Sequence, residues 1–302
     1  MTPLPEFEFL PAPLWLITVL HLLTLTLHFL AMNFLVGGLL YVLLVGAREA
    51  NPVRHRLTGL FPSVMAATVT LGVAPLLFLQ LVYYRQVYSA SIVSAWPWLM
   101  IIAAAIGSYY LLYGASSRPR GNRGLLLLAL LGLLYVSLVY STVFSLAERP
   151  GLSEELYAAN QSGLVVNPAV GDWGFRWLHM ILGAAAVGGY FAGFLGREDP
   201  RAFARGKQFF TGGMVAAMVL GLIYLFTLGE VLLSLMRSPA IWLLTVSIVL
   251  SLAAIGLFWK KRLVLAGLLL VLSLAGMVVV RHTLRILLLQ GSFDPASIPV
   301  RP

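Results

Sequence analysis

The chain has 302 residues, 60% of them hydrophobic and 10% charged, with a formal net charge of +9. A mean hydropathy of +0.92 places it among polytopic helical membrane proteins and excludes an ordinary soluble enzyme. Without cysteine it has no disulfide, no iron–sulfur ligand and no site for covalent haem c.

Eight apolar runs approach or exceed the roughly 20 residues that cross a bilayer, at about 13–45, 57–84, 95–115, 124–147, 171–195, 208–235, 239–258 and 263–290. The first lacks a basic leader and a small-residue cleavage site, so it is expected to be a span and not a cleaved signal. It carries His21 and His28, the latter nine residues before Gly37-Gly38. The stretch LLFLQLVYYRQVYSASIVSAWPWL (76–99) runs from the outer end of the second span to the start of the third, and its Gln80, Tyr83, Tyr84, Arg85 and Gln86 set donors beside apolar surface. Tyr and Trp there are ordinary interface residues. The same donors would suit a quinone carbonyl, with Gln80 and Tyr84 as candidate contacts. Spans three and four carry no acid. Residues 148–170 form the one long polar stretch and divide the chain.

The fifth span repeats the first motif, with His179 nine residues before Gly188-Gly189. Cytoplasmic turns are expected at GAREANP (46–52) and GREDP (196–200), and FPSVMAATVTLG (61–72) parallels FTGGMVAAMVLG (210–221). The expected organisation is all-α, with eight transmembrane helices as two parallel four-helix units, 1–147 and 171–302, joined by an outer loop, 148–170. Small-residue packing patterns account for part of this likeness. The eighth span brings Arg281, His282 and Arg285.

The basic residues are unevenly placed. Arg48, Arg54, Arg56, Arg118, Arg120, Arg123, Arg197, Arg201, Arg205, Lys207, Lys260, Lys261 and Arg262 fall in alternate loops with only three acids. By the positive-inside rule those loops are cytoplasmic and both termini periplasmic, in a bacterial inner membrane. The charge is thus a topology signal, and no nucleic-acid partner is expected.

An imidazole in hydrocarbon is costly unless something binds it. Counted from the basic loops at ~1.5 Å per residue, His28, His179 and His282 each lie roughly 27–30 Å from the inner face. They form one layer near the outer surface, and His21 sits two turns from His28 on the same helix face. Taken singly, each is also explained by a bond to a neighbouring carbonyl. As a group they suggest axial ligands of haem b, in two copies. His179 and His282 form the simplest bis-imidazole pair, and His28 would hold a second haem with His21, Met32 or Met100. Arg281 and Arg285 flank a candidate ligand and suit haem propionates. Arg176 and Arg237 either do the same or snorkel to the interface.

TLTLHFLAMNFLVGG, ATVTLGVAPLLFLQLVYY and RWLHMILGAAAVGGYFAG resemble the first, second and fifth helices of subunit I of the cytochrome bd quinol oxidases. The resemblance covers about residues 15–100 and 172–195. It implies that His28 and His179 are haem ligands on the outward side and that a quinol is oxidised. The chain departs from that family in lacking a long loop between spans six and seven. It also has essentially no intramembrane carboxylate, Glu230 lying near the outer end of span six, and has His282 where the family's eighth helix has a carboxylate ligand.

The expectation is therefore a haem b electron-transfer subunit in the lipid bilayer. It would take electrons from menaquinol or ubiquinol, or run in reverse. Its partner would be a periplasmic (multi)haem c-type cytochrome or another redox subunit. The rivals are a haem-free quinone-binding anchor subunit, a bd-type terminal oxidase and a transporter.

Overall fold

The computed structural model describes residues 9–45, 52–118 and 122–300. Arg48, Arg120 and the GAREAN part of the first cytoplasmic turn lie outside the described residues, as do both chain ends. Within them the helices are α1 (Leu14–Leu44), α2 (Pro52–Val82), α3 (Tyr84–Val93), α4 (Ala95–Ser116), α5 (Arg123–Ala147) and α6 (Pro150–Ala159). There follow α7 (Val170–Leu195), α8 (Pro200–Thr227), α9 (Glu230–Arg237), α10 (Ala240–Trp259) and α11 (Leu263–Leu289). Eight of them, all but α3, α6 and α9, are long and apolar enough to cross a membrane. That is the number expected from hydropathy.

The element ends follow from local chemistry. Asn122 starts α5 by accepting from the backbone N–H groups of Gly124 and Leu125. Asp199 does the same for α8 at Arg201 and Ala202, with Pro200 at the first helical position, where its missing donor costs nothing. The sixth span was expected over 208–235. The structure shifts it to 200–227, because the Asp-Pro read as a turn is a helix start and because Gly229, at φ 56°, breaks the chain. The short α9 follows the break. Likewise α3 is a separate helix in the link between the second and third expected spans, and α6 one in the stretch expected to be a loop.

At the centre, α1 and α7 pack on each other. Each also carries its sequence neighbour, α2 on α1 and α8 on α7, while α4 pairs with α5 and α10 with α11. The central pair is fitted backbone to backbone. A Cβ on Gly37 would overlap the Ala184 carbonyl, and one on Gly188 would overlap the Gly37 carbonyl. Such contact is the usual means of close approach between helices in lipid, where dispersion and not the hydrophobic effect drives association. The outer flanks present residues such as Leu23, Val69, Ile102, Phe226, Trp242 and Leu268, all exposed.

Candidate functional site

His28 and His179 occupy equivalent settings. The His28 Nδ1 lies 2.9 Å from the carbonyl of Thr68 on α2, and the His179 Nδ1 lies 2.6 Å from that of Ala217 on α8. A carbonyl only accepts, so in each ring Nδ1 carries the proton and Nε2 is left as the basic nitrogen. Four residues beyond each carbonyl stands a glycine against the ring. A Cβ at Gly72 would come within 2.8 Å of the His28 imidazole, and one at Gly221 within 2.9 Å of His179. Thr68 and Ala217, and Gly72 and Gly221, are matching positions of the two similar segments noted above. A histidine whose Nδ1–H is fixed by a carbonyl is set in the tautomer and orientation that metal-bound imidazoles use.

His282 is turned elsewhere. Its ring centroid lies 6.2 Å from that of His21, so the imidazole beside it is on α1 and not on α7. His21 is buried and its Nδ1 bonds the Pro75 carbonyl at 3.0 Å. Beside these two rings is a cavity of about 120 Å³ lined by Leu14, Ile17, Phe78, Leu79, Val82 and Tyr83 among others, with Pro295 of the C-terminal segment at its edge. The His21 Nε2, the His282 Nδ1 and the Tyr83 hydroxyl are buried and have no hydrogen-bond partner.

Next to the cavity lies an ion cluster centred on Glu148, the residue that ends α5. Arg176 Nη1 donates to its carboxylate at 3.0 Å, Arg285 Nε lies 3.4 Å away, and Arg281 completes the group. Arg176 also donates to the Ser141 carbonyl at 2.9 Å. Three guanidinium groups on one carboxylate leave two positive charges in excess. Moreover, Nη1 of Arg281 and of Arg285 are buried without a partner. The Arg285 guanidinium sits 5.6 Å from the Tyr83 ring centroid, which joins the cluster to the cavity. Burial alone would push the Glu148 carboxyl up, but Arg281, Arg176 and Arg285 outweigh it and hold it at about 2.

The other sequence candidates separate. Arg281 and Arg285, expected on propionates, are engaged with Glu148. Arg237 ends α9 in an exposed position. Tyr84 is half-buried at the start of α3 and accepts from Arg85 Nε at 3.3 Å. Gln80 is half-buried on α2. Neither borders the cavity, whose tyrosine is the adjacent Tyr83. Met32 packs against the core one turn from His28. Neighbours on one helix face stand only ~5–6 Å apart, so a porphyrin between them would run into the helix itself. Met100 is exposed on α4.

Among the described residues no group of three His, Cys, Asp or Glu side chains could chelate a metal ion. Haem needs only one or two protein ligands. His28 and His179 suit that requirement, and one turn from His179 a Cβ on Gly183 would meet no atom within 4 Å. Glu148 is the buried charged residue at this site that sequence reasoning missed. Its signal was present: three arginines near span ends with few acids to neutralise them. No protein-family model, characterised protein or solved structure matches the chain.

Proposed function

We propose that this chain is the haem b-bearing membrane subunit of a quinol:acceptor oxidoreductase. One observation carries the reading: two imidazoles at matching points of the chain, each with Nδ1 on a helix carbonyl and a glycine against its ring. In this reading His28 and His179 each hold one haem b through Nε2. When bound, the haem supplies a one-electron redox couple.

The eight spans form two parallel four-helix units, 1–147 and 171–302, with 148–170 between them. Supporting contacts recur across the halves. Gly132 lies against the Ser108 hydroxyl as Gly276 lies against that of Ser247, while Gly38 faces the Phe61 ring and Gly189 the backbone at Phe210. Both termini and the Glu148 cluster face the periplasm of a bacterial inner membrane, by the charge bias of the loops. The net reaction is oxidation of one menaquinol or ubiquinol to the quinone. Two protons are released outward, and two electrons reduce two haems of a periplasmic c-type cytochrome partner.

Haem content decides the matter. Purified protein should give a haem b pyridine haemochrome spectrum, and His28→Ala and His179→Ala should each remove about half of the haem. His28→Gln and His179→Gln, which keep a donor for the carbonyl, should lose haem equally while remaining folded. Protein that binds quinone yet contains no haem b would instead favour the haem-free anchor. Full haem in every variant would overturn the ligand assignment.

A further inference from the structure

We propose that the cavity between α1, α2 and α11, walled by His21, His282 and Tyr83, takes the head group of a para-quinol. This rests on the reading of the chain as quinol-oxidising and locates its substrate. It shares Phe78, Leu79, Val82 and Tyr83 with the stretch that holds Gln80 and Tyr84, but neither of those two borders it.

Size comes first. A cavity of about 150 Å³ encloses a benzene ring, so the 120 Å³ here takes the polar edge of one flat ring, with the rest of the head group lying past Ile286 on the lipid side. Its wall is mainly aliphatic and aromatic, through Leu14, Ile17, Phe78, Leu79, Val82 and Ile286. Such a wall excludes a strongly hydrated or multiply charged ligand.

The polar chemistry is equally selective. Buried polar groups without partners are rare, because each forfeits about 1–3 kcal/mol of hydrogen bonding. Here the Nδ1–H of His21 is committed to the Pro75 carbonyl, so its orphaned Nε2 is an acceptor. The Tyr83 hydroxyl is a donor with no acceptor. The orphaned Nδ1 of His282 either donates or accepts, according to tautomer. A ligand that answers this set must present oxygens able both to give and to receive a hydrogen bond. A quinol does both: its hydroxyl hydrogens meet the imidazole lone pair and its oxygens meet the Tyr83 hydroxyl. The corresponding quinone keeps only the accepting half of the set.

The route in points to the same class. Pro295 of the C-terminal segment closes one side of the cavity, and the segment is tied down where Leu10 N–H donates to the Pro299 carbonyl at 2.7 Å. Ile286, on the rim, is 38% exposed on the flank of the bundle. A head group entering past Ile286 comes from the lipid and leaves its isoprenoid tail there.

The test separates binding from haem. Equilibrium binding of decylubiquinone and of menadione is measured on the purified protein in detergent, alongside its haemochrome spectrum and the rate of haem reduction by duroquinol. Ile17→Phe, which fills the cavity, should weaken quinone binding more than about tenfold. Tyr83→Phe, which removes one oxygen and little volume, should weaken it about fivefold, the worth of one hydrogen bond. Leu252→Phe, on the exposed face of α10, should bind as wild type. Haem content should be unchanged in all three. Haem present and reduced by duroquinol, with Ile17→Phe and Tyr83→Phe indistinguishable from wild type, overturns the pocket and leaves the proposed function standing. Protein without haem b overturns the proposed function. In that case weakened quinone binding by Ile17→Phe and Tyr83→Phe still upholds the pocket, and unchanged binding removes both.

Discussion

Glu148 is the residue on which most of the buried charge depends. Its carboxylate is the shared acceptor for Arg176, Arg281 and Arg285. Glu148→Gln would leave three guanidinium groups facing one another, and breaking a buried ion pair from one side costs about 3–5 kcal/mol. Thermal unfolding in detergent should show that loss. The pH dependence has a definite sign. The carboxyl is held at about 2, below its ordinary 4.5, so its contribution is complete above about 4.5 and is lost as pH falls towards 2. Wild-type stability should therefore fall across that window more steeply than that of Glu148→Gln; parallel curves would contradict the assignment. The glycines against the imidazoles allow a second test. Gly221→Ala puts a methyl group about 2.9 Å from the His179 ring, so the ring must move, and haem content should fall with no loss of the α7–α8 pairing. Of these residues the histidines were legible in the sequence, because an imidazole stands out in an apolar run. Glu148 was not. It looked like one acid of a polar loop, and two of its partners, Arg176 and Arg281, lie 28 and 133 positions away.

Among the elements, seven spans were legible to within about five residues because each is a long apolar run, while the sixth begins at Pro200 and not at 208. What joins them was less so. The break at Gly229 lies inside one long apolar run interrupted by Glu230, and a positive φ, which glycine tolerates, marks it. The partnership of α1 with α7 could not be read at all, since a glycine pair signals close packing without saying against what. That contact makes a sharp prediction. Gly188→Ala drives a methyl group into the Gly37 carbonyl and should destabilise by at least the ~1–3 kcal/mol typical of overpacking. At Gly212, where a Cβ would meet nothing within 4 Å, alanine should be neutral or stabilise by about 0.5–1 kcal/mol. Unfolding midpoints of the two variants provide the comparison.

The molecule as a whole was foreseen as a helical membrane protein, and its pairing of His282 was not. Hydropathy and depth counting place residues along the membrane normal, but they carry no information on which helices are neighbours around it. Depth put His282 in one layer with His179, while helix packing put it beside His21. The inferred orientation is open to direct test because the chain has no cysteine of its own. Gln161→Cys should react with a membrane-impermeant maleimide on intact cells, and Lys261→Cys only in inverted vesicles. The reverse pattern would invert the molecule. One further property follows from the small bridge between Leu10 and Val300. It holds residues 10 and 300 side by side with their strands running the same way, so a linker that turns back once can join them. A circular permutant, with residues 10 and 300 joined by a short linker and new ends opened in the exposed stretch at 160–162, should insert and retain the helix packing of the parent. Its spans would simply be synthesised in the order five to eight, then one to four.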